Sequence, residues 1–196
     1  MRQPLSGFVL AGGQSSRMGE NKAFLSLEGA TLIERTKSIL AEVCETVSII
    51  GSRELYGAFG PCFEDIYTGC GPLGGIHAAL LNSTTAHNLI TAVDTPFLTP
   101  KFLRYLAGKA LDSTALVTAP SVAGRVQPLC AIFSREFLTV AEAALREGKY
   151  KVEPLFPREH TQILTERELG EFALAPGMFD NLNTPEDFER ARSRKS

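Results

Sequence analysis

The chain has 196 residues, 44% hydrophobic and 21% charged, an ordinary globular composition for one domain, 1–196, with a sizeable core. Its 20 Lys plus Arg against 22 Asp plus Glu leave a net charge of −2. That excludes a general nucleic-acid binder, which needs a strong positive field, and permits a local basic site. Cys44, Cys62, Cys70 and Cys130 stand far apart with no C-x-x-C pair and no clustered histidines, so reduced thiols are expected rather than a zinc site or a disulfide scaffold. The apolar run from Phe8 to Ala11 is far short of the ~7–15 residues of a signal-peptide core, and nothing approaches the ~20 apolar residues of a bilayer span. A cytoplasmic protein with no membrane partner is expected.

In chain order, Gly7-Phe8-Val9-Leu10 predicts a buried first strand. Leu32, Thr36, Ile39, Leu40 and Val43 share one face of a helix between Thr31 and Val43, and Thr31 with Glu34 forms a capping box at its start. Further strands are predicted at Val47–Ile50, Leu89–Val93, Ala115–Thr118 and Leu129–Phe133. Helices are predicted at Leu73–Leu81, at Pro100–Ala110 after the cap Thr99, at Arg135–Arg146 before Gly148, and at Pro185–Arg192 after the cap Thr184. His77 falls within the first of these as a partly buried helix residue, and His87 and His160 read as surface residues at strand starts. Such alternation calls for parallel strands joined by right-handed crossovers, a single-domain doubly wound α/β fold with a mostly parallel, Rossmann-like sheet. Ligands of such sheets sit beyond the carboxyl ends of the strands, where Gly12-Gly13 and Asp94 both fall.

The segment Leu10-Ala11-Gly12-Gly13-Gln14-Ser15-Ser16-Arg17-Met18-Gly19-Glu20-Asn21-Lys22 combines unobstructed backbone amides with two cations, Arg17 and Lys22, as a polyphosphate site requires. Paired glycines also serve a tight turn for steric reasons alone, and the basic residues favour the phosphate reading. The segment is neither G-x-G-x-x-G nor a Walker loop, so dinucleotide binding and ordinary NTP hydrolysis do not fit. Asp94 closes an apolar strand and projects at the same edge, either as a cation ligand or as an Asx turn before Pro96. Asp65, before a glycine-rich stretch, reads equally as a site residue or a solvated turn. Gly69, Gly71, Gly74 and Gly75 read as a loose turn with a close helix contact or as backbone approaching a ligand.

Leu10-Ala11-Gly12-Gly13, Ser15, Arg17-Met18-Gly19 and Lys22 match every fixed position of LAGG-x-S-x-RMG-x-x-K, and the chain resembles the molybdenum cofactor guanylyltransferases, the MobA family. The likeness continues in order through Glu64-Asp65, Gly71-Pro72-Leu73-Gly74-Gly75, Asp94-Thr95-Pro96-Phe97, Gln127-Pro128-Leu129 and Asn181–Asp187. Related cytidylyltransferases show LAAG and D-Q-P where this chain has LAGG and Asp94-Thr95-Pro96, which favours guanine. Family members often carry asparagines after the second strand, where this chain has Gly51-Ser52-Arg53.

The resemblance implies an enzyme that transfers GMP from GTP to molybdopterin with release of pyrophosphate. Leu10, Ala11, Gly12, Gly13, Lys22, Asp65 and Asp94 would bind the nucleotide, with Asp65 at the guanine end. Lys22 and Arg17 would stabilise developing charge, and Asp94 would hold Mg2+. Arg125, Gln127, Asn181 and Asn183 would meet the pterin. Lys149 and Lys151 read equally as pterin contacts or as a solvated face. Other molybdenum cofactor biosynthesis proteins and acceptor molybdoenzymes are the implied partners. Two alternatives stay open on the residues: a relative using CTP or another acceptor, and a nucleotide-binding, cofactor-handling protein without catalysis.

Overall fold

A computed structural model describes residues 2–12, 21–170 and 177–193. Strand β1 (Gln3–Leu10) lies in the middle of the main sheet. After a single 3-10 turn at Lys22–Phe24, a two-residue ribbon of β2 (Ser26–Leu27) and β3 (Ala30–Thr31) leads into helix α1 (Leu32–Ala41). Then come β4 (Cys44–Ile50), the short α2 (Arg53–Tyr56), β5 (Cys62–Phe63), α3 (Pro72–Leu81), β6 (His87–Ala92) and α4 (Pro100–Leu111). The rest comprises β7 (Val117–Val122), β8 (Arg125–Val126), β9 (Cys130–Ser134), α5 (Phe137–Arg146), β10 (Thr161–Leu164), α6 (Glu166–Leu169) and α7 (Pro185–Ser193).

The sheet runs β10-β7-β9-β6-β1-β4-β5, with β8 paired to β7. β1 pairs in parallel with β4 on one side and with β6 on the other, and β4–β5 and β7–β10 are parallel too. The sheet is mostly parallel, as expected, with exceptions at β9, antiparallel to both β6 and β7, and at β8, antiparallel to β7. No helix separates β7 from β9. The chain instead reverses at Ala123-Gly124, both at positive φ, and such a hairpin return cannot give a parallel neighbour.

Successive side chains of β1 enter opposite layers, as pleating requires. Leu5 and Val9 join Leu32, Ile33 and Leu40 of α1 and Phe102, Leu103 and Leu106 of α4. Phe8 and Leu10 join Leu73, Ile76 and Leu80 of α3 and Phe137, Ala141 and Leu145 of α5. A sheet buried on both faces is what the unbroken apolar run of β1 signals. The predicted caps are present: Thr31 and Glu34 make the full capping box, Thr99 Oγ1 accepts from Phe102 N, and Thr184 Oγ1 accepts from Asp187 N. All four cysteines are free thiols, three of them buried, and burial pushes the Cys44 thiol up to about 12. No helix among the described residues is long and apolar enough to cross a membrane.

Candidate active site

From β1 the chain steps outward to β4 and β5, then returns to place β6 on β1's other flank. Such a reversal opens a crevice beyond the strand ends. A cavity of about 800 Å³ lies there, large enough for a nucleotide. Leu10, Ala11 and Gly12 form one wall, Gly69, Gly71 and Pro72 a second, and Ala92, Val93 and Asp94 a third. Lys22 and Asp65 complete its polar lining.

Lys22 Nζ donates to Asp94 Oδ2 at 2.6 Å and to Asn183 Oδ1 at 3.1 Å. The Lys22 and Asp94 side chains are 24% and 14% exposed, so the pair is shielded but reachable from the cavity. Backbone hydrogen bonds hold Asp94 from two sides, with Val93 N donating to Leu10 O and Leu182 N to Asp94 O. The segment before α7 therefore reaches the same charged pair as the segment after β1.

Lys22 opens a 3-10 turn whose cap is Asn21, the side-chain oxygen accepting from Ala23 N at 3.1 Å. On the other flank of the glycine-rich segment, the Ala11 and Gly12 amides both donate to Ile50 O, at 2.9 and 3.2 Å. Gly12 thus contributes a bare backbone wall, while its N–H is engaged by β4. Gly13 and Arg17 lie outside the described residues.

Asp65 stands at the opposite wall with Oδ1 buried and without a hydrogen-bond partner, and burial pushes its carboxyl above the usual aspartate range. Helix α3 begins beside it at Gly71, with no side chain capping its first turn. The glycines divide their work. A Cβ on Gly74 would lie 2.7 Å from Tyr67 O and one on Gly75 3.2 Å from Leu10 Cδ2, so these two let α3 pack closely. Gly69 and Gly71, at φ 75° and 62°, shape the cavity wall.

The remaining predicted residues lie further out. Arg125 is in the exposed β8 strand and its carbonyl accepts from Gln127 Nε2; the wall of the large cavity takes Leu129 from this stretch. Asn181 lines a neighbouring cavity of about 290 Å³ beside α7, together with Phe179, Asp187 and Arg190. Lys149 is an exposed residue paired with Glu147 at 2.5 Å, as a solvated face would have it, and Lys151 is exposed as well. His77 is buried edge-on to the Tyr67 ring, its Nδ1 has no partner, and burial holds it below the usual histidine range.

One residue at this edge carries no sequence signal. Tyr56 is buried in the short α2, and its hydroxyl donates to Ala11 O at 3.0 Å while accepting from Asn21 Nδ2 at 2.8 Å. A buried tyrosine at helical spacing reads as core, and only the partners, 45 and 35 residues away, reveal otherwise.

Residues 7–162 match the MobA-like NTP transferase domain family. A probable molybdenum cofactor guanylyltransferase of Pelotomaculum thermopropionicum is 36% identical over 95% of this chain and 91% of its own. A molybdenum cofactor guanylyltransferase of Desulfosudis oleivorans is 32% identical over 96% and 95%. Among solved structures, molybdopterin-guanine dinucleotide biosynthesis protein A from Archaeoglobus fulgidus superposes with a TM-score of 0.84, covering 97% of this chain and 98% of that one at 24% identity, which speaks for the fold. The glycine-rich segment and the β6-terminal aspartate thus sit in a chain that belongs to the MobA-like NTP transferase family.

Proposed function

We propose that this protein transfers GMP from GTP to molybdopterin, forming the guanine dinucleotide of the cofactor and pyrophosphate. The observation that carries this reading is the convergence of Lys22, Asp94 and Asp65 on one cavity walled by glycine backbone. The names of the relatives supply the substrates; the residues supply a chemistry that suits them.

A triphosphate brings several negative charges to this cavity, and phosphoryl transfer is catalysed mainly by positioning and charge stabilisation. Among the described residues, no group of three or more His, Cys, Asp or Glu could hold a metal unaided. Asp94, a carboxylate facing the cavity beside Lys22, suits a hard divalent cation that takes its other ligands from phosphate and water. Asp94 would hold Mg2+ at the α-phosphate, and the ion would supply charge neutralisation there.

Asp94 is paired with the Lys22 ammonium. Lys22, whose ammonium lines the same cavity, would serve the phosphate oxygens, where negative charge grows during transfer. An oxygen of the molybdopterin phosphate attacks the α-phosphorus, the bond to the bridging oxygen breaks, and pyrophosphate leaves with that electron pair. The attacking phosphate is already anionic, so no strong general base is needed. Asp65 lies at the glycine-rich wall near α3, where the guanine base would sit, and its carboxylate can accept two N–H bonds from a base edge. Asn183 and Asn181, before α7, and Arg125 and Gln127 would face the acceptor. Arg17 would add a second cation to the phosphates, and Gly13 an amide.

Pyrophosphate release measured with GTP, CTP and ATP in the presence of molybdopterin, with the product weighed by mass spectrometry, tests the proposal. GTP is expected to be preferred and to yield the guanine dinucleotide. Preference for CTP, or tight GTP binding without pyrophosphate release, overturns it.

A further inference from the structure

We propose that Tyr56 is a positioning residue for Lys22: its hydroxyl joins the end of β1 to the turn that carries the lysine and so sets where the ammonium stands in the nucleotide cavity. The inference rests on the guanylyl-transfer reading for its kinetic consequence and on geometry alone for the tie. The hydroxyl donates to Ala11 O at 3.0 Å and accepts from Asn21 Nδ2 at 2.8 Å. With its other side-chain atom, Oδ1, Asn21 caps the turn Lys22–Phe24. A single buried oxygen therefore spans the two flanks of the glycine-rich segment, and both bonds would be lost with it.

The ring is held as firmly as the hydroxyl. Phe24, on the same turn as Lys22, packs on it with centroids 5.6 Å apart, and Phe59 stacks on Phe24 at 6.0 Å. The Cδ2–Cε2 edge of the ring lies against Gly51. A Cβ there would sit 2.8 Å from Tyr56 Cε2, 2.9 Å from Cδ2 and 3.3 Å from Gly12 N. The glycine after β4 is thus the residue that lets the ring reach under the end of β1. This gives Gly51 a structural reason in the loop where the chain departs from the asparagines common in its family. Burial also pushes the Tyr56 hydroxyl above the ordinary phenol range, which keeps it protonated and able to donate to Ala11.

A displaced ammonium weakens an interaction that matters most as charge develops, so the loss should fall on turnover rather than on ground-state binding. Tyr56→Phe keeps the ring and its packing and removes both bonds. With GTP and molybdopterin as substrates, kcat is expected to fall about tenfold while the KM for GTP stays within about twofold. Asn21→Ala should cost a similar factor, and the double variant Tyr56→Phe/Asn21→Ala no more than the worse of the two, because they share one bond. In a Lys22→Ala background, Tyr56→Phe should have no further effect on kcat; a fold-stabilising role would add its cost there. Backbone hydrogen exchange supplies a readout apart from activity, with the Ala23 and Phe24 amides expected to exchange about tenfold faster in Tyr56→Phe. Wild-type turnover in Tyr56→Phe, a further loss in the Lys22→Ala background, or unchanged exchange at Ala23 and Phe24 overturns the inference. A wild-type protein that releases no pyrophosphate from GTP counts against the functional reading instead, and the exchange measurement then decides the tie by itself.

Discussion

The two ends of the sheet bury polar groups in opposite ways. At the amino ends of the strands, Ser6 Oγ accepts from Thr46 Oγ1 at 3.1 Å and from Thr85 Oγ1 at 3.0 Å, and Ser83 Oγ donates to Asn88 Oδ1. The Asn88 amide goes on to Phe133 O at 3.3 Å, linking β6 to β9. These groups are neutral and mutually partnered, with Ser6, Ser83 and Asn88 buried, Thr85 half-buried and Thr46 exposed at the margin. At the carboxyl ends, Asp65, Lys22 and Asp94 line an open cavity, and Asp65 Oδ1 has no partner. A closed polar network stabilises the fold, whereas an open one costs stability until a ligand completes it. Substitutions at the two ends should therefore separate folding from chemistry.

The largest effect is expected at the open end. Lys22→Ala or Asp94→Ala should lower pyrophosphate release by ~10²–10³, the loss typical of a charge-stabilising group, with an unchanged circular dichroism spectrum. The folded state should survive because a partly exposed ion pair contributes only ~0–1 kcal/mol. Normal turnover in both variants would remove these residues from the site. At the closed end the pattern reverses. Asn88→Ala removes the bond from the Ser83 hydroxyl and the bond to the Phe133 carbonyl. It should cost about 2 kcal/mol, seen as a melting temperature lower by ~4–8 °C, while turnover per folded molecule at 25 °C is kept. Asn183→Ala lies between: it removes one bond to Lys22 and should slow turnover by about three- to tenfold with little change in melting temperature.

What the sequence discloses follows the same division. The central strands and main helices are legible because both faces of β1 are apolar and because Thr31 with Glu34, Thr99 and Thr184 mark helix starts by local chemistry. Strand direction has no period, so the reversal of β9 is invisible in its own residues and is set by the Ala123-Gly124 turn before it. Cys62–Phe63 is too short for a pattern, and Thr161–Leu164, at the sheet edge, is only half buried. At the site, Lys22 and Asp94 are legible because phosphate and metal chemistry restricts the residue types that serve, whereas Asp65, equally a solvated turn on its own residues, is singled out only by the family resemblance. The Asn21–Tyr56–Ala11 tie is not, because any chain offers many tyrosines and asparagines and only folding brings these two together.

The finest distinction concerns Asp65. Its carboxyl titrates above the ordinary aspartate value of 3.8 because burial disfavours the charged form. A group whose folded value is raised gives its full stability below the unfolded value and loses it as pH rises towards the folded one. The unliganded protein therefore carries a cost at neutral pH that is absent below about pH 3.8. Asp65→Asn, which removes the charge and keeps the shape, should raise the melting temperature at pH 7. The gain should shrink steadily as pH falls towards the unfolded value, and GTP titration of the same variant should show weakened binding. A carboxylate that destabilises the empty protein and strengthens its complex is kept for the ligand. Equal melting temperatures at pH 7, or undiminished GTP affinity, would place Asp65 with the closed network at the other end of the sheet.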